Sequence, residues 1–461
     1  MTVAVERPTV THRPVITLVA STTAFTLVII GTTVVNVALP AIRADLGGGV
    51  SGLQWVVNAY TLMFASLLLS MGALCDLRGA RRVMLAGVGV FLTGAAVAFV
   101  SPSLGVLIAG QVILGTGAAA LMPASLALIS HAYPDDRRRA RAIGIFASAS
   151  AVAIGLGPVL GGLLIDAIGW RAIFAMDAPL AVFVAILVIR GVDETPRRPA
   201  AGIDLPGQVT AIVALGAFTY AIIESGAAGW GAASTQVALL ISIVAGGLFI
   251  RIERVGEHPM LPLSLFGSRE FSVGAGAGLL VNFGVYGQFF VLSLYLQELR
   301  GLTPLETGVV FLVQPLTAAL TAVPAGRITA RDGPRLPVAV GGFVAAAGVA
   351  LLLTVGARSS YAVIVAALAL LGAGGGMSIP ALTAAVVAGA PRPQVGVAAA
   401  TFTASRQVGG ILGVAVLGAM VSQTSFLHGL HLAVFVSAGA LAISGLAGAL
   451  LLSSRVRDES I

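Results

Sequence analysis

Long apolar runs, separated by short breaks that carry arginine, constrain this chain more than any other feature it has. A helix needs about 20 mostly apolar residues to cross the hydrocarbon core of a bilayer. Runs of that kind read at 16–39, 53–74, 83–100, 105–128, 142–165, 172–190, 206–224, 235–252, 272–296, 305–326, 337–356, 361–387, 396–421 and 430–452. The expected architecture is therefore an all-α membrane protein with about fourteen transmembrane helices. Composition agrees: 10% of the 461 residues are charged, where a soluble domain carries about 25%. Too little polar surface remains to face water on all sides, so lipid is a partner over most of the chain. The first run is too long for a signal-peptide core and reads as a span.

The net charge of +7 does not imply a nucleic-acid partner. A nucleic-acid binder gathers its basic groups on one face, whereas these sit in loops between apolar runs. All 26 basic residues are arginine. Without lysine there is no Walker A phosphate loop and no Schiff-base cofactor such as retinal or pyridoxal phosphate. Uphill work would have to draw on an ion gradient. The lone cysteine, Cys75, excludes an intrachain disulfide. No serine–histidine–acid set or metal-ligand cluster is visible, so the chain reads as neither an enzyme nor a holder of a metal or cofactor.

Arginine also orients the spans, because cytoplasmic loops collect it. With the N-terminus inside, inner segments hold 21 arginines, including Arg7, Arg13, Arg78, Arg137–Arg139, Arg198, Arg455 and Arg457; outer segments hold only Arg43, Arg171, Arg300 and Arg358. Both termini are then cytoplasmic, in a plasma membrane and, from the Ala/Gly/Val/Arg-rich composition, a bacterial one. Trp55, Trp170 and Trp230 fall at outer ends of spans, where tryptophan favours the interface. Polar stretches divide the chain into 1–190, 191–255 and 256–461, a 6+2+6 arrangement of two six-helix halves and two extra spans. GALCDLRGARR (72–82) and GRITARDGPR (326–335) echo each other in the two halves. Paired halves around a midplane site are a transporter plan.

Gly72, Leu74, Asp76, Gly79, Arg81 and Arg82 form the pattern G-x-L-x-D-x-x-G-x-R-R between spans 2 and 3. Asp76 stands where a carboxylate can pair with arginine and with a neighbouring helix N-terminus. Span 5 carries IGLGPVLGG, with Gly157, Pro158, Gly161 and Gly162; proline permits a bend and glycines permit close helix packing. TTVVNVALPAI (32–42), GWRAIFAMDAPLA (169–181) and HPMLPLSLF (258–266) add to these. Together, over about 26–452, they resemble the fourteen-span drug:proton antiporters of the major facilitator superfamily. The resemblance implies a gating motif at Gly72–Arg82 that latches the cytoplasmic side and an antiporter motif at Gly157–Gly162. It also implies a monomeric exporter of small-molecule substrates coupled to protons. GAGGGMSIP (372–380) lies in an apolar run with no strand before it, so it reads as a Gly/Pro-broken span 12 rather than a dinucleotide loop.

Two departures from the family pattern matter. Gly31 replaces the usual span 1 aspartate, and Gln111 replaces the usual span 4 arginine. Proton coupling must then lie elsewhere. Asp177, in span 6, and Glu224, at the outer end of span 7, are the proton-coupling candidates; for Asp177 the alternative is an outer-facing, hydrated or hydrogen-bonded residue, and for Glu224 a charge at a span end, where charge costs little. Asp166 reads as a solvated outer residue. Arg406, inside span 13, with Gln407, Gln111, Asn282 and Gln314, are the substrate-cavity candidates, since buried polar groups in a span face the interior; for Arg406 the resemblance implies a structural role ahead of substrate contact. The expected function is drug or antibiotic efflux of hydrophobic or amphipathic molecules by proton antiport. The alternative is export of a specific neutral or anionic metabolite with weak or no proton coupling.

Overall fold

The computed structural model describes residues 13–197, 202–256, 259–423 and 425–454. Arg7, Arg198, His258, Arg455 and Arg457, used above for orientation or resemblance, lie outside the described residues.

Among the described residues fourteen helices are long and apolar enough to span a membrane: α1 (Pro14–Leu46), α2 (Val50–Arg78), α3 (Ala80–Phe99), α4 (Leu104–Ala132), α5 (Asp136–Ile168), α6 (Ala172–Gly191), α7 (Leu205–Ala228), α8 (Ala233–Val255), α9 (Arg269–Leu299), α10 (Pro304–Asp332), α11 (Arg335–Thr354), α12 (Tyr361–Ala388), α13 (Arg392–Gln423) and α14 (Phe426–Leu451). Every expected span is present. Several helices outrun their apolar stretch, because caps can start a helix in polar sequence. Asp135 accepts from Arg138 N at 2.9 Å and starts α5 well before its hydrophobic run. Thr303 and Glu306 form a reciprocal capping box at the start of α10. Gly79 (φ +92°) ends α2 and Gly333 (φ +85°) ends α10, a left-handed turn that glycine adopts without strain. The two echoing loop sequences thus make equivalent turns in the two halves.

The helix contacts repeat in the same way. α1 packs on α4, α5 and α6, α2 on α4, and α3 on α4 and α6. The second set matches: α9 on α12, α13 and α14, α10 on α12, and α11 on α12 and α14. In lipid there is little hydrophobic drive between helices, so small residues that let backbones touch carry much of the association. Gly87 and Gly94 of α3 abut Gly117 and Gly110 of α4, and Gly341 of α11 abuts Gly374 of α12. The Gly372–Gly376 stretch belongs here too. α12 is continuous rather than broken, and Gly372 and Gly376 lie against the backbone of α10 at Gln314 and Ala318. Its glycines serve packing on two neighbours.

The two six-helix sets meet at two seams, α2 against α13 and α5 against α10. α7 lies across the first. Ile222 and Ile223 pack on Ala415 and Trp55, and Leu215 packs on Leu62, Ala65 and Ile411. Gln208 Nε2 donates to Ser66 O of α2 (2.9 Å), and Gln423 Nε2 of α13 donates to Ser225 O (2.9 Å). The extra helices therefore strap both halves, with α8 resting mainly on α7.

Of the three tryptophans, Trp230 is exposed at the α7–α8 turn. Trp170 departs from the interface expectation: it is 5% exposed, and its Nε1 donates to Asp45 Oδ2 at 3.0 Å. Arg171 pairs with the same carboxylate, so this corner is tied to α1 rather than left in the interface.

Candidate functional site

Between the halves lies a cavity of about 750 Å³. Its walls are the later turns of α2 (Leu68–Asp76) and α4 (Met122–Ala127), the first turns of α13 (Pro393–Thr403), and the segments at 202–204 and 259–260. These are the helix ends that carry Arg78, Arg81, Arg254 and Arg392, here termed the basic end. At the opposite end the halves are joined. Arg43 Nη1 reaches Glu298 Oε1 at 3.1 Å, Gln297 Nε2 donates to Val37 O at 3.1 Å, and Ser293 Oγ donates to Asn36 O at 2.5 Å. Deeper in, Gln54 Nε2 of α2 donates to Val414 O and Ala415 O of α13 (2.8 and 2.7 Å). The halves are thus closed at one end and parted at the other.

The Gly72–Arg82 motif sits at this opening. Gly72 and Asp76 line the cavity. Asp76 is exposed and pairs with no arginine among the described residues, contrary to the pairing expected of it. The arginines are engaged elsewhere: Arg81 donates to Val188 O (3.2 Å) and Ile189 O (3.0 Å) at the end of α6, and Arg82 lies 3.7 Å from Glu194 Oε2. Glu194 also accepts from Arg81 N (2.9 Å), while Thr195 Oγ1 accepts from Ala80 N (2.8 Å). These side chains cap α3 from the stretch after α6. None of these bonds reaches the second half, so in this conformation the motif does not latch the two halves. Sequence reasoning missed Glu194 because it lies in a polar connector far along the chain.

The span 5 motif works at two contacts. Gly157 and Gly161 face Thr33 and Val34 of α1; Gly162 lies against the Pro304–Leu305 backbone of α10, and Gly308 of α10 against Pro158 O. Leu305 N donates to Asp166 Oδ2 at 3.2 Å, so Asp166, exposed as expected, is also a seam contact. A side chain at Gly162 would meet backbone that cannot yield.

The remaining candidates lie at different depths. Asp177 is 4% exposed, follows a break in α6 at Met176, and makes no hydrogen bond or ion pair among the described residues. It is not the hydrated outer group that was its alternative. Tyr60 lies within its electrostatic reach. Tyr60 Oη donates to Val28 O (2.9 Å) and stands 3.3 Å from where a Cβ on Gly31 would be. An aspartate at position 31 would meet that ring, which gives the Gly31 departure a steric counterpart. Gln111 is buried with Nε2 unpartnered, and Gln314 with Oε1 unpartnered. Arg406 Nε donates to Asn282 Oδ1 at 3.3 Å, joining two candidates across α13 and α9; Gln407 is buried beside them. Glu224 is not brought to these groups: it accepts from Ser234 Oγ (3.1 Å) on the α7–α8 hairpin. Asn58 and Gln288, both buried with neither amide atom partnered, were missed; only their polarity within apolar runs signals them.

Residues 22–268 and 274–460 match the Major Facilitator Superfamily. The chain belongs to that superfamily. It is 36% identical over 407 residues to "Multidrug resistance protein Stp" of Mycobacterium tuberculosis, covering 88% of this chain and 76% of that one. It is 33% identical over 449 residues to "Methylenomycin A resistance protein" of Streptomyces coelicolor (96% and 94% covered). Against "Tetracenomycin C resistance and export protein" of Streptomyces glaucescens it is 33% identical over 415 residues (89% and 76%). Among solved structures, peptide transporter POT in complex with sulfate superposes with a TM-score of 0.69 at 16% identity, over 93% of each chain; at that identity the likeness concerns the fold. This superfamily member is a multi-pass membrane transporter.

Proposed function

We propose that the chain exports hydrophobic or amphipathic small molecules, drugs or antibiotics among them, across a bacterial plasma membrane by proton antiport. The observation that carries the reading is a large cavity, walled mostly by apolar side chains and set at the basic end between two repeated halves that are joined at the other end. The resistance and export names of its relatives point to the same cargo class. With the basic end taken as cytoplasmic, the described conformation is inward-open and ready to load. Export then requires the α2–α13 and α5–α10 seams to part at the outer end while the halves close at the basic end. In that closed state Asp76 would face the first turn of α13, which now forms the far cavity wall; a carboxylate at a helix N-terminus is favourable there.

Asp177 is the proton carrier in this reading, and Glu224 is not. A carboxyl buried without a partner is far cheaper neutral than charged, so its load and release can follow the change of access. Everted vesicles with an imposed proton gradient test the function. Uphill uptake of a lipophilic drug that collapses with the gradient is expected; uptake indifferent to the gradient would remove the antiport reading.

A further inference from the structure

Arg406 is the one arginine near the middle of a span among the described residues, and it has no acidic partner there. The ion pairs found there, such as Arg43–Glu298, Arg82–Glu194 and Arg171–Asp45, all lie near helix ends. Its single hydrogen bond is Nε to Asn282 Oδ1, and Phe402 lies 5.8 Å from its guanidinium carbon. Both terminal nitrogens are uncommitted. Tyr286 of α9 is within electrostatic reach, while Asp177 hangs from α6 in the other half and bonds to nothing. Arg406 is half-buried, and a lone cation at mid-span is costly unless something neutralises it.

The hydrogen-bonding sense of the site is one-sided. Guanidinium can only donate, so the Asn282 oxygen must accept from it, which leaves the Asn282 amide as a donor. What remains to offer a ligand is therefore the N–H groups of Arg406 and Asn282. Thr403, about one turn below Arg406, is the last α13 residue on the cavity wall, so Arg406 lies one turn beyond that wall, with Asn282 bonded to it. The walls leading there include Leu68, Leu69, Met122, Leu126 and Val397. Asp76 and Asp204 are also on the lining; Asp76 is exposed, where salt screens it, and Asp204 caps the start of α7, its Oδ1 accepting from Gly207 N at 2.7 Å while Oδ2 has no partner.

We infer that Arg406 and Asn282 bind the anionic oxygen of the cargo, so that the preferred substrates are apolar scaffolds bearing a carboxylate: hydrophobic organic acids rather than lipophilic cations. This rests on the exporter reading and names its substrate class. The guanidinium supplies charge and two donors, a geometry suited to carboxylate, and the apolar walls take the scaffold.

Three probes sharing one scaffold isolate the head group: 1-pyrenebutyrate, 1-pyrenebutanol and 1-pyrenebutylamine, with Kd read by fluorescence anisotropy on the purified full-length protein. The butyrate should bind at least about tenfold tighter than the alcohol or the amine, a gap typical of a charge-assisted contact. Arg406→Gln should erase that gap and leave alcohol binding in place. Asn282→Asp should erase it too, by supplying the missing counter-charge from within, and should raise Tm. This second variant carries the test if Arg406→Gln does not fold. Equal binding of the three probes, tighter binding of the amine, or a butyrate preference that survives Asn282→Asp overturns the proposal. Butyrate binding as expected, with no energised transport of the same probe in proteoliposomes, leaves the site standing and refutes export instead.

Discussion

Single side chains in the core separate charge from contact. Asp177 is buried with no partner, so replacing it by asparagine removes a protonatable group without removing a bond. Asp177→Asn should fold with an unchanged Tm and still bind cargo, while gradient-driven export falls by at least about tenfold, as for loss of an acid–base group; a flux assay beside a binding assay checks both halves of that statement. The sequence made Asp177 visible because an acid in an apolar run stands out. It did not make Tyr60 visible, and Tyr60 is what occupies the space beside Gly31. The reason is that its neighbour lies on another helix, and hydropathy carries no information on which faces meet. The same limit hid Glu194, whose contacts with Arg81 and Arg82 span more than a hundred residues.

At the level of helices, the seam between α5 and α10 depends on the absence of side chains. A Cβ on Gly162 would stand 2.5 Å from Pro304 O. Gly162→Ala should destabilise this conformation by about 1–3 kcal/mol, the usual cost of overpacking. Because the seam is closed in the described conformation, the halves should part more often at the end near Arg43. In a Cys75→Ala background, a cysteine at Asn36, buried here, should then label faster with a membrane-impermeant thiol reagent. Unchanged labelling would mean that this contact does not set the equilibrium. The helices themselves were legible: each expected apolar run became a span, since lipid contact imposes length and polarity directly. Helix ends were less so, because caps such as Asp135 and Thr303 extend helices beyond the lipid-facing stretch. The expected break in α12 failed for a related reason. Its glycines look like a breaker in one dimension and act as a packing face in three.

For the molecule as a whole, the proposed mechanism has two repeated halves rocking between two closures, and the extra pair α7–α8 bridges the halves at one seam. Glu298→Gln removes the ion pair to Arg43 at the closed end. That pair is partly exposed and contributes about 0.2–1 kcal/mol, so the shift towards the outward-open state should be no more than about fivefold. It should also shrink in high salt, which spin-label distances across the Arg43 end can follow. Paired halves and their motifs were readable from the echoing loops. The current state of the gate was not, because one sequence encodes both closures and only coordinates say that Asp76 is unengaged here. The central claim, proton-coupled export with Asp177 as carrier, is tested most directly by the internal pH of proteoliposomes holding a proton gradient as a transported compound is added. The account predicts a proton flux evoked by the compound and lost in Asp177→Asn. Compound movement without a proton signal, or a signal that survives in Asp177→Asn, would contradict it.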